Sequence, residues 1–480
     1  MNLSLVWLRR DLRLNDHVPL ALALAEAHPV QPVFVFDTEI LARFKNPRDR
    51  RVNFLARTLI ELHQTLKTRG GGMLVLYGAA RVAIPKLAAA LTAEAIFSAE
   101  DFEETTRARD AAVKRAVAPQ TRFVQAVDHL LRAPTQILKD DGTPFKVFTP
   151  YYKRWLASVT PADSAEAAVR DAGRYADFAT IARQAEAAGL KRLDLDLGLE
   201  ATLAAMGYEA VADDLWPVTG IPARLRAFTK QKLTAYPVAR DRMATDGTSR
   251  ISPYLRFGLI SIRQCLREAE TAGGGEKWIS ELAWREFYAM ILYHFPQTAT
   301  QEFQEQYRGT IPWNGTGAAW DAFCAGKTGF PIVDAAVREL LTTGWMHNRA
   351  RMIVASFLTK DLLIDWRLGE NFFAQHLMDY EMASNVGGWQ WAASTGTDAA
   401  PYFRVFNPLL QSRKFDGAGE YIRRYVPELA ALKDDEIHEP ATLGLLRPAS
   451  YPAPIVDHAV AKDRVVAAFK AAGMALRPPG

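Results

Sequence analysis

Two tryptophans set among small and polar residues are the first place where this chain could do chemistry. They lie in the run Asn385-Val-Gly-Gly-Trp-Gln-Trp-Ala-Ala-Ser-Thr-Gly-Thr-Asp-Ala-Ala-Pro-Tyr-Phe-Arg-Val-Phe-Asn-Pro408. The Gly-Gly pair ahead of Trp389 and Trp391 permits close approach of the backbone to a flat ligand. Aromatic packing in a buried turn would give the same residue types, so the pair alone leaves both readings open. Three other segments carry reactive side chains at helical spacing. Trp278, Glu281, Trp284 and Arg285 stand at i, i+3, i+6 and i+7, close to one face. A carboxylate among indoles is costly to bury without a hydrogen-bond partner, and pairing with Arg285 is its structural explanation. Asn348, Arg351 and Met352 stand at i, i+3 and i+4; a Met there is also ordinary core filler. Thr248-Ser-Arg-Ile-Ser252 puts hydroxyls and a guanidinium at an expected helix start, which suits a diphosphate and also suits a plain N-cap before Pro253.

Eight of the eleven tryptophans follow residue 270. That clustering favours a stacking pocket or an electron-transfer path over uniform core filling. The net charge of +4 permits a polyanionic partner without requiring one. Cys265 and Cys324 are far apart and form no CxxC, so neither a disulfide framework nor a cysteine metal site is expected, and the few histidines are not at metal-ligand spacing. No metal is expected. The N-terminus turns charged at once and no apolar run reaches membrane-spanning length, which makes the cytoplasm the expected location.

The elements that must position these residues fall into two patterns. Leu3–Leu8, Val33–Phe36, Met73–Tyr77, Ala95–Ser98 and Phe123–Val127 read as short buried strands. Asp49–Thr68, Arg81–Leu91 and Thr105–Val117 carry helical periodicity between them. Alternating β and α implies a parallel sheet covered on both faces. Gly70-Gly-Gly72 precedes a strand and reads as a loop, not a phosphate cradle. Residues 131–215 read as a long connector over the surface, and from Trp216 onward helix follows helix. The expected layout is an α/β domain over 1–130 with a parallel, Rossmann-like sheet, the connector, and a large all-α domain over 216–480.

The order of these segments resembles the DNA photolyase and cryptochrome family, and most closely the bacterial cyclobutane pyrimidine dimer photolyases. The resemblance runs from about residue 3 to 470 and is strongest over 236–415. It implies an antenna-binding N-terminal domain and a helical domain that binds flavin adenine dinucleotide (FAD) and DNA. It assigns the FAD to Tyr236, Thr248, Ser249, Arg250, Ile251, Ser252, Trp278, Arg285, Asn348, Arg351, Asp379, Glu381 and Asn385, with Asp379 against Arg351 and Asn385 facing flavin N5. It places the damaged pyrimidines against Glu281, Trp284, Asn348, Met352 and Trp391. It makes Trp313, Trp366 and Trp389 an electron relay.

The implied activity is light-driven repair of dimers in double-stranded DNA, by an electron from excited, reduced FAD to a flipped dimer. Asn at 385 points to repair, where plant cryptochromes carry Asp and animal ones Cys; a blue-light-sensing cryptochrome is the alternative. Enzymes acting on (6-4) photoproducts have His at both positions held here by Asn348 and Met352, and neither Asn nor Met is an acid near neutral pH. DNA phosphates are expected at Arg240, Arg349 and the stretch Arg404 to Lys414. Val386, where a second Asn is common, leaves class I and class III both open. Thr105-Thr106 stand where some folate-binding relatives have Asn-Glu. Methenyltetrahydrofolate is the expected second chromophore and a deazaflavin the alternative. The protein is expected to act as a monomer without an obligate protein partner.

Overall fold

The computed structural model describes residues 3–171, 173–212, 215–398 and 405–475. By packing, the chain divides into two compact units. The first holds the residues up to Leu138, Lys153–Leu233 and Ser249–Glu286; the second holds Lys139–Tyr152, Thr234–Thr248 and the chain from Phe287 onward. These units cut across the expected boundaries at 130 and 215.

In the first unit, five parallel strands stand in the order β3-β2-β1-β4-β5. They are β1 (Leu3–Leu8), β2 (Val30–Asp37), β3 (Leu74–Gly78), β4 (Ala93–Ala99) and β5 (Arg122–Ala126). Val, Leu and Phe fill β1 and β2, which are buried along their whole length, as strands covered on both faces must be. The helices Arg50–Thr68, Ala80–Ala90 and Glu104–Val117 match the expected ones to within a residue. Asp49 caps the first of these by accepting from the Arg51 N–H. Gly71 and Gly72 are packing glycines. A Cβ on Gly71 would lie 2.6 Å from Tyr175, and one on Gly72 would lie 2.5 Å from the Phe178 ring.

That contact corrects the reading of 131–215 as a surface strap. The segment forms the helices Phe148–Ser158, Phe178–Ala187 and Gly198–Ala204. Ile181 and Ala185 are fully buried in the hydrophobic cluster of the sheet. Small alanines on the buried face, Ala182 and Ala185, let the helix Phe178–Ala187 lie close.

A network of buried charges ties distant parts of this unit together. Asp128 accepts from Arg13 at 2.6 Å and from Arg263 at 2.9 Å. Asp16 accepts from Arg263 at 2.8 Å, from Arg267 at 3.1 Å and from the Ser261 hydroxyl. Burial alone would raise the Asp128 carboxyl; the charges of Arg13, His17 and Arg263 outweigh it and hold it far below the carboxylate range. Asp11, His17 and Asp128 lie close enough to share an ion, but each already faces a protein partner. His17 Nε2 stands 3.1 Å from Asp11, while its Nδ1 accepts from the Leu20 N–H.

The second unit is helical. Its core includes Trp366, Trp389, Tyr421 and Tyr451, all 2% exposed or less. The helices that matter for function are Asn348–Ser356, Trp366–His376 and Met382–Ala393. One π-turn, Phe357–Asp361, follows the first of them. Among the described residues, no helix is long and apolar enough to cross a membrane.

Candidate cofactor and DNA site

Within the first unit, the helix Glu276–His294 carries the expected segment. Trp278 is buried, its ring 5.6 Å from that of Phe228, and its Nε1 donates to Ser249 Oγ at 3.4 Å. Glu281, Trp284 and Arg285 are half-buried and share one open stripe. Glu281 forms an ion pair with Lys277 at 3.3 Å, one turn back. Arg285 donates to the His129 carbonyl.

The short helix Ser252–Phe257 has Ile251 at its N-cap and no side-chain cap, so Thr248 and Ser249 do not serve as one. Arg250 has φ +49°, a left-handed conformation that a side chain adopts at a cost. This strain gathers at the segment expected to meet the diphosphate.

His129 is enclosed, and among the described residues neither ring nitrogen has a hydrogen-bond partner. Burial, then the Arg10 and Arg285 charges, outweigh Asp101 and push the imidazole down to about 4. An unfolded histidine titrates near pH ~6.5. Between those values the unfolded chain holds a proton that the folded chain does not, so stability is full at pH 7 and falls as the solution is acidified. His129→Phe should remove this contribution. In urea titrations, the variant should lose about 2 kcal/mol less than the parent between pH 7 and pH 5. Equal losses would mean that His129 is protonated in the fold.

Within the second unit, Asn348 opens the helix Asn348–Ser356 and is exposed, with Arg351 and Met352 half-buried beside it. His347 caps that helix by accepting from the Arg349 N–H at 3.1 Å. Asn348 Nδ2 lies 3.9 Å from Met352 Sδ. Arg351 grips Asp379 through one guanidinium nitrogen, at 3.0 and 2.8 Å to the two carboxylate oxygens, and this is the pairing expected from the sequence. Glu381 is buried at the N-cap of the helix Met382–Ala393.

Asn385, one turn into that helix, points its amide nitrogen at Glu370, 3.1 Å from the backbone carbonyl and 3.0 Å from Oε1. Both partners accept, so the atom facing them is the nitrogen, and the amide oxygen is turned away as an acceptor. Burial raises the Glu370 carboxyl, and hydrogen bonds from Asn385 and Tyr380 only partly offset it. Glu370 was not legible in the sequence; it sits on the helix Trp366–His376 without any motif of its own.

Trp391 is half-buried, whereas Trp389 is 2% exposed. The Trp389 ring packs edge-on against Phe373 at 4.9 Å. A Cβ on Gly369 would lie 2.2 Å from that ring, so only glycine fits there. Trp366 is fully buried and Trp313 half-buried.

The basic residues expected to meet DNA have unequal freedom. Lys414 is exposed, and Arg240 lies over Tyr236 at 5.5 Å. Arg349 is engaged, at 2.7 Å from Asp241 and stacked 4.3 Å from the Phe415 ring. Arg404 lies outside the described residues. Tyr236 is buried, and Thr248 is half-buried at the end of its segment.

Residues 4–169 match the model of the family described as DNA photolyase, and residues 278–471 match that of the FAD binding domain of DNA photolyase. A deoxyribodipyrimidine photo-lyase of Alkalihalophilus pseudofirmus is 39% identical, over 98% of this chain and 98% of that protein. The chain belongs to the DNA photolyase family. A crystal structure of a bacterial class III photolyase from Agrobacterium tumefaciens is similar with a TM-score of 0.83 and 30% identity, covering 99% of this chain and 98% of the other. An archaeal photolyase from Sulfolobus tokodaii, solved with two FAD molecules, is similar with a TM-score of 0.80 and 29% identity, covering 98% and 100%. The expected architecture, a parallel sheet domain followed by a helical FAD-binding domain, is that of these photolyases.

Proposed function

We propose that this protein is a deoxyribodipyrimidine photo-lyase that reverses cyclobutane pyrimidine dimers in double-stranded DNA under blue light. The orientation of Asn385 carries the reading. Its amide is locked by Glu370 with an acceptor turned outward, on the helix that also bears Trp389 and Trp391. An acceptor suits a reduced flavin, whose N5 bears hydrogen, and a neutral amide does not protonate that nitrogen.

The residues present fit FAD. The hydroxyls of Thr248, Ser249 and Ser252 with the Arg250 guanidinium suit the diphosphate, with Tyr236 and Ile251 alongside. Trp278 and Arg285 flank the dinucleotide. The Arg351–Asp379 pair, Glu381, Asn348 and the Asn385 amide suit the polar edge of the ring system and its ribityl chain. When bound and reduced, FAD supplies a light-driven one-electron donor.

The chain's own residues do the rest. Trp284 and Trp391 offer flat walls for two stacked pyrimidines, whose weakened pairing lowers the cost of flipping them out. Glu281 accepts from the pyrimidine edge. Asn348 and Met352 are proposed to meet the same lesion and donate no proton, which suits a ring opened by one electron given and later returned. Lys414, Arg240, Arg404 and Arg349 hold the phosphates, Arg349 by exchanging Asp241 for DNA. Trp313, Trp366 and Trp389 carry electrons inward to the oxidised cofactor. Methenyltetrahydrofolate is the proposed antenna and a deazaflavin the alternative. Beyond the carboxyl ends of β1 and β4, Arg10 pairs with Asp101 and Glu103, and Arg9 and Arg109 each lie 4.8 Å from the Trp7 ring. No step here depends on an antenna. The protein acts as a monomer in the cytoplasm.

The deciding experiment is repair of thymine-dimer DNA by reduced, FAD-loaded protein, lit against dark. Restored thymines in the lit sample alone support the proposal. Equal outcomes in light and dark refute it and revive the signalling alternative.

A further inference from the structure

One carboxylate joins the two outer tryptophans of the proposed relay. Glu302 lies in a short irregular stretch and is 1% exposed. Its Oε1 accepts from Trp366 Nε1 at 3.2 Å and from Trp313 Nε1 at 3.4 Å. Its Oε2 accepts from Arg367 at 2.8 Å. Burial alone would push this carboxyl up; the hydrogen bond and charge of Arg367, with the Trp366 N–H, outweigh it and hold the group below the usual glutamate range. The inner indole is different. Trp389 Nε1 is buried, and among the described residues no protein acceptor lies within hydrogen-bond reach of it.

The packing makes these rings successive. Trp389 lies on the helix Trp366–His376 at Gly369, one turn from Trp366 and on its face. The segment bearing Trp313 is pinned to the start of that helix, because the Asn314 N–H donates to the Leu363 carbonyl and the Asp365 N–H to the Asn314 carbonyl.

We infer that Glu302 is a positioning residue for electron transfer, which makes the two outer indoles easier to oxidise than the inner one and so drives positive charge outward. The inference rests on the relay proposed above. Oxidised Trp389 takes one electron from Trp366, and oxidised Trp366 takes one from Trp313. The positive charge moves outward by the same two hops, with each N–H staying on its nitrogen. A thiol reductant in solution returns the electron to Trp313 and is itself oxidised. A charged acceptor strengthens the hydrogen bond it receives roughly twofold over a neutral one, and in a low-dielectric interior it favours a nearby cation strongly. Both effects act on Trp366 and Trp313, and neither reaches Trp389 through a hydrogen bond. Arg367 sits on the other carboxylate oxygen and is shared with Asp365 at 3.0 Å; its guanidinium also lies 4.7 Å over the Trp366 ring and opposes the carboxylate there, so the effect is greatest on Trp313.

The test uses FAD-loaded protein and three variants. Glu302→Gln keeps an acceptor of the same shape and removes the charge. It should slow thiol-dependent photoreduction by about tenfold or more, shorten the transient absorption of oxidised indole, and leave FAD content and melting temperature at parental values. Repair by the dithionite-reduced variant should be unchanged. Glu302→Asp, which restores the charge on a shorter stem, should recover part of the rate. Equal slowing in the Gln and Asp variants would overturn the inference, since charge would then not be the cause. So would slow photoreduction accompanied by lost FAD or a lower melting temperature. Trp366→Phe separates the two levels of the reading. If it blocks photoreduction while Glu302→Gln runs at the parental rate, the relay stands and the role of Glu302 falls. If Trp366→Phe photoreduces normally, the relay itself is misassigned.

Discussion

Trp389→Phe protein, loaded with oxidised FAD, should fail to photoreduce in blue light yet repair dimers at the parental rate once reduced chemically. Phenylalanine keeps most of the ring volume against Phe373 and Gly369, so the cost in stability should stay near that of a modest core change, about 1–2 kcal/mol. Among the described residues the indole nitrogen has no protein acceptor to lose. The electronic change is much larger, because a benzene ring is far harder to oxidise than an indole. Every ~1.4 kcal/mol added to the barrier is a factor of ten, and photoreduction should drop by about two orders of magnitude or more. Flavin absorbance under continuous light, read beside repair by dithionite-reduced protein, measures both halves. Parental photoreduction in this variant would remove Trp389 from the relay, and loss of repair in the pre-reduced variant would give it a different role.

The second large effect concerns which lesion is restored. Reduced, illuminated protein should restore cyclobutane thymine dimers and leave (6-4) photoproducts intact. At the mouth of the helix Asn348–Ser356, the side chains are an exposed amide and a thioether that touch each other, and neither delivers a proton near neutral pH. Trp391→Ala should lower the preference for dimer-containing over undamaged duplex more than it lowers overall affinity. Stacking on an aromatic contributes about 1–3 kcal/mol per base, whereas the phosphate contacts respond to salt and not to the lesion. Chromatography of the repaired oligonucleotides and binding curves at two salt concentrations read these outcomes. Efficient (6-4) repair would overturn the pocket assignment.

Much of this was legible before any coordinates. Short Val- and Phe-rich runs between helical segments located all five strands, because a strand covered on both faces must be apolar throughout. The pairing of Arg351 with Asp379 came from motif order and is present as a doubly hydrogen-bonded contact. What escaped was whatever depends on contacts between distant segments. The helix Val18–Ala25 is nearly uniform in hydrophobicity and shows no stripe. Asp241 neutralises Arg349 from more than a hundred residues away, so a guanidinium expected on DNA is already paired. Glu302 stands among polar residues with no periodicity, and only the fold brings two indoles to one of its oxygens. Glu281 has Lys277 and Arg285 each one turn away on its own helix. Only Arg285 enters the reading of the sequence, and the structure shows an ion pair to Lys277.

The buried cluster around Asp16 and Asp128 bears on how the chain comes into being on the ribosome. Asp16 is synthesised 247 residues before the Arg263 that neutralises it, and Asp128 waits 135 residues for the same side chain. Until Arg263 emerges, Asp16 lacks its principal counter-ion and Asp128 has Arg13 but not its second guanidinium, and an unpaired buried charge costs several kcal/mol. The strands can form during translation, but they cannot lock. A nascent chain halted near residue 215 should be protease-sensitive, and one released past residue 286 should not. An expression clone of the sheet region alone would stall at that same half-finished stage.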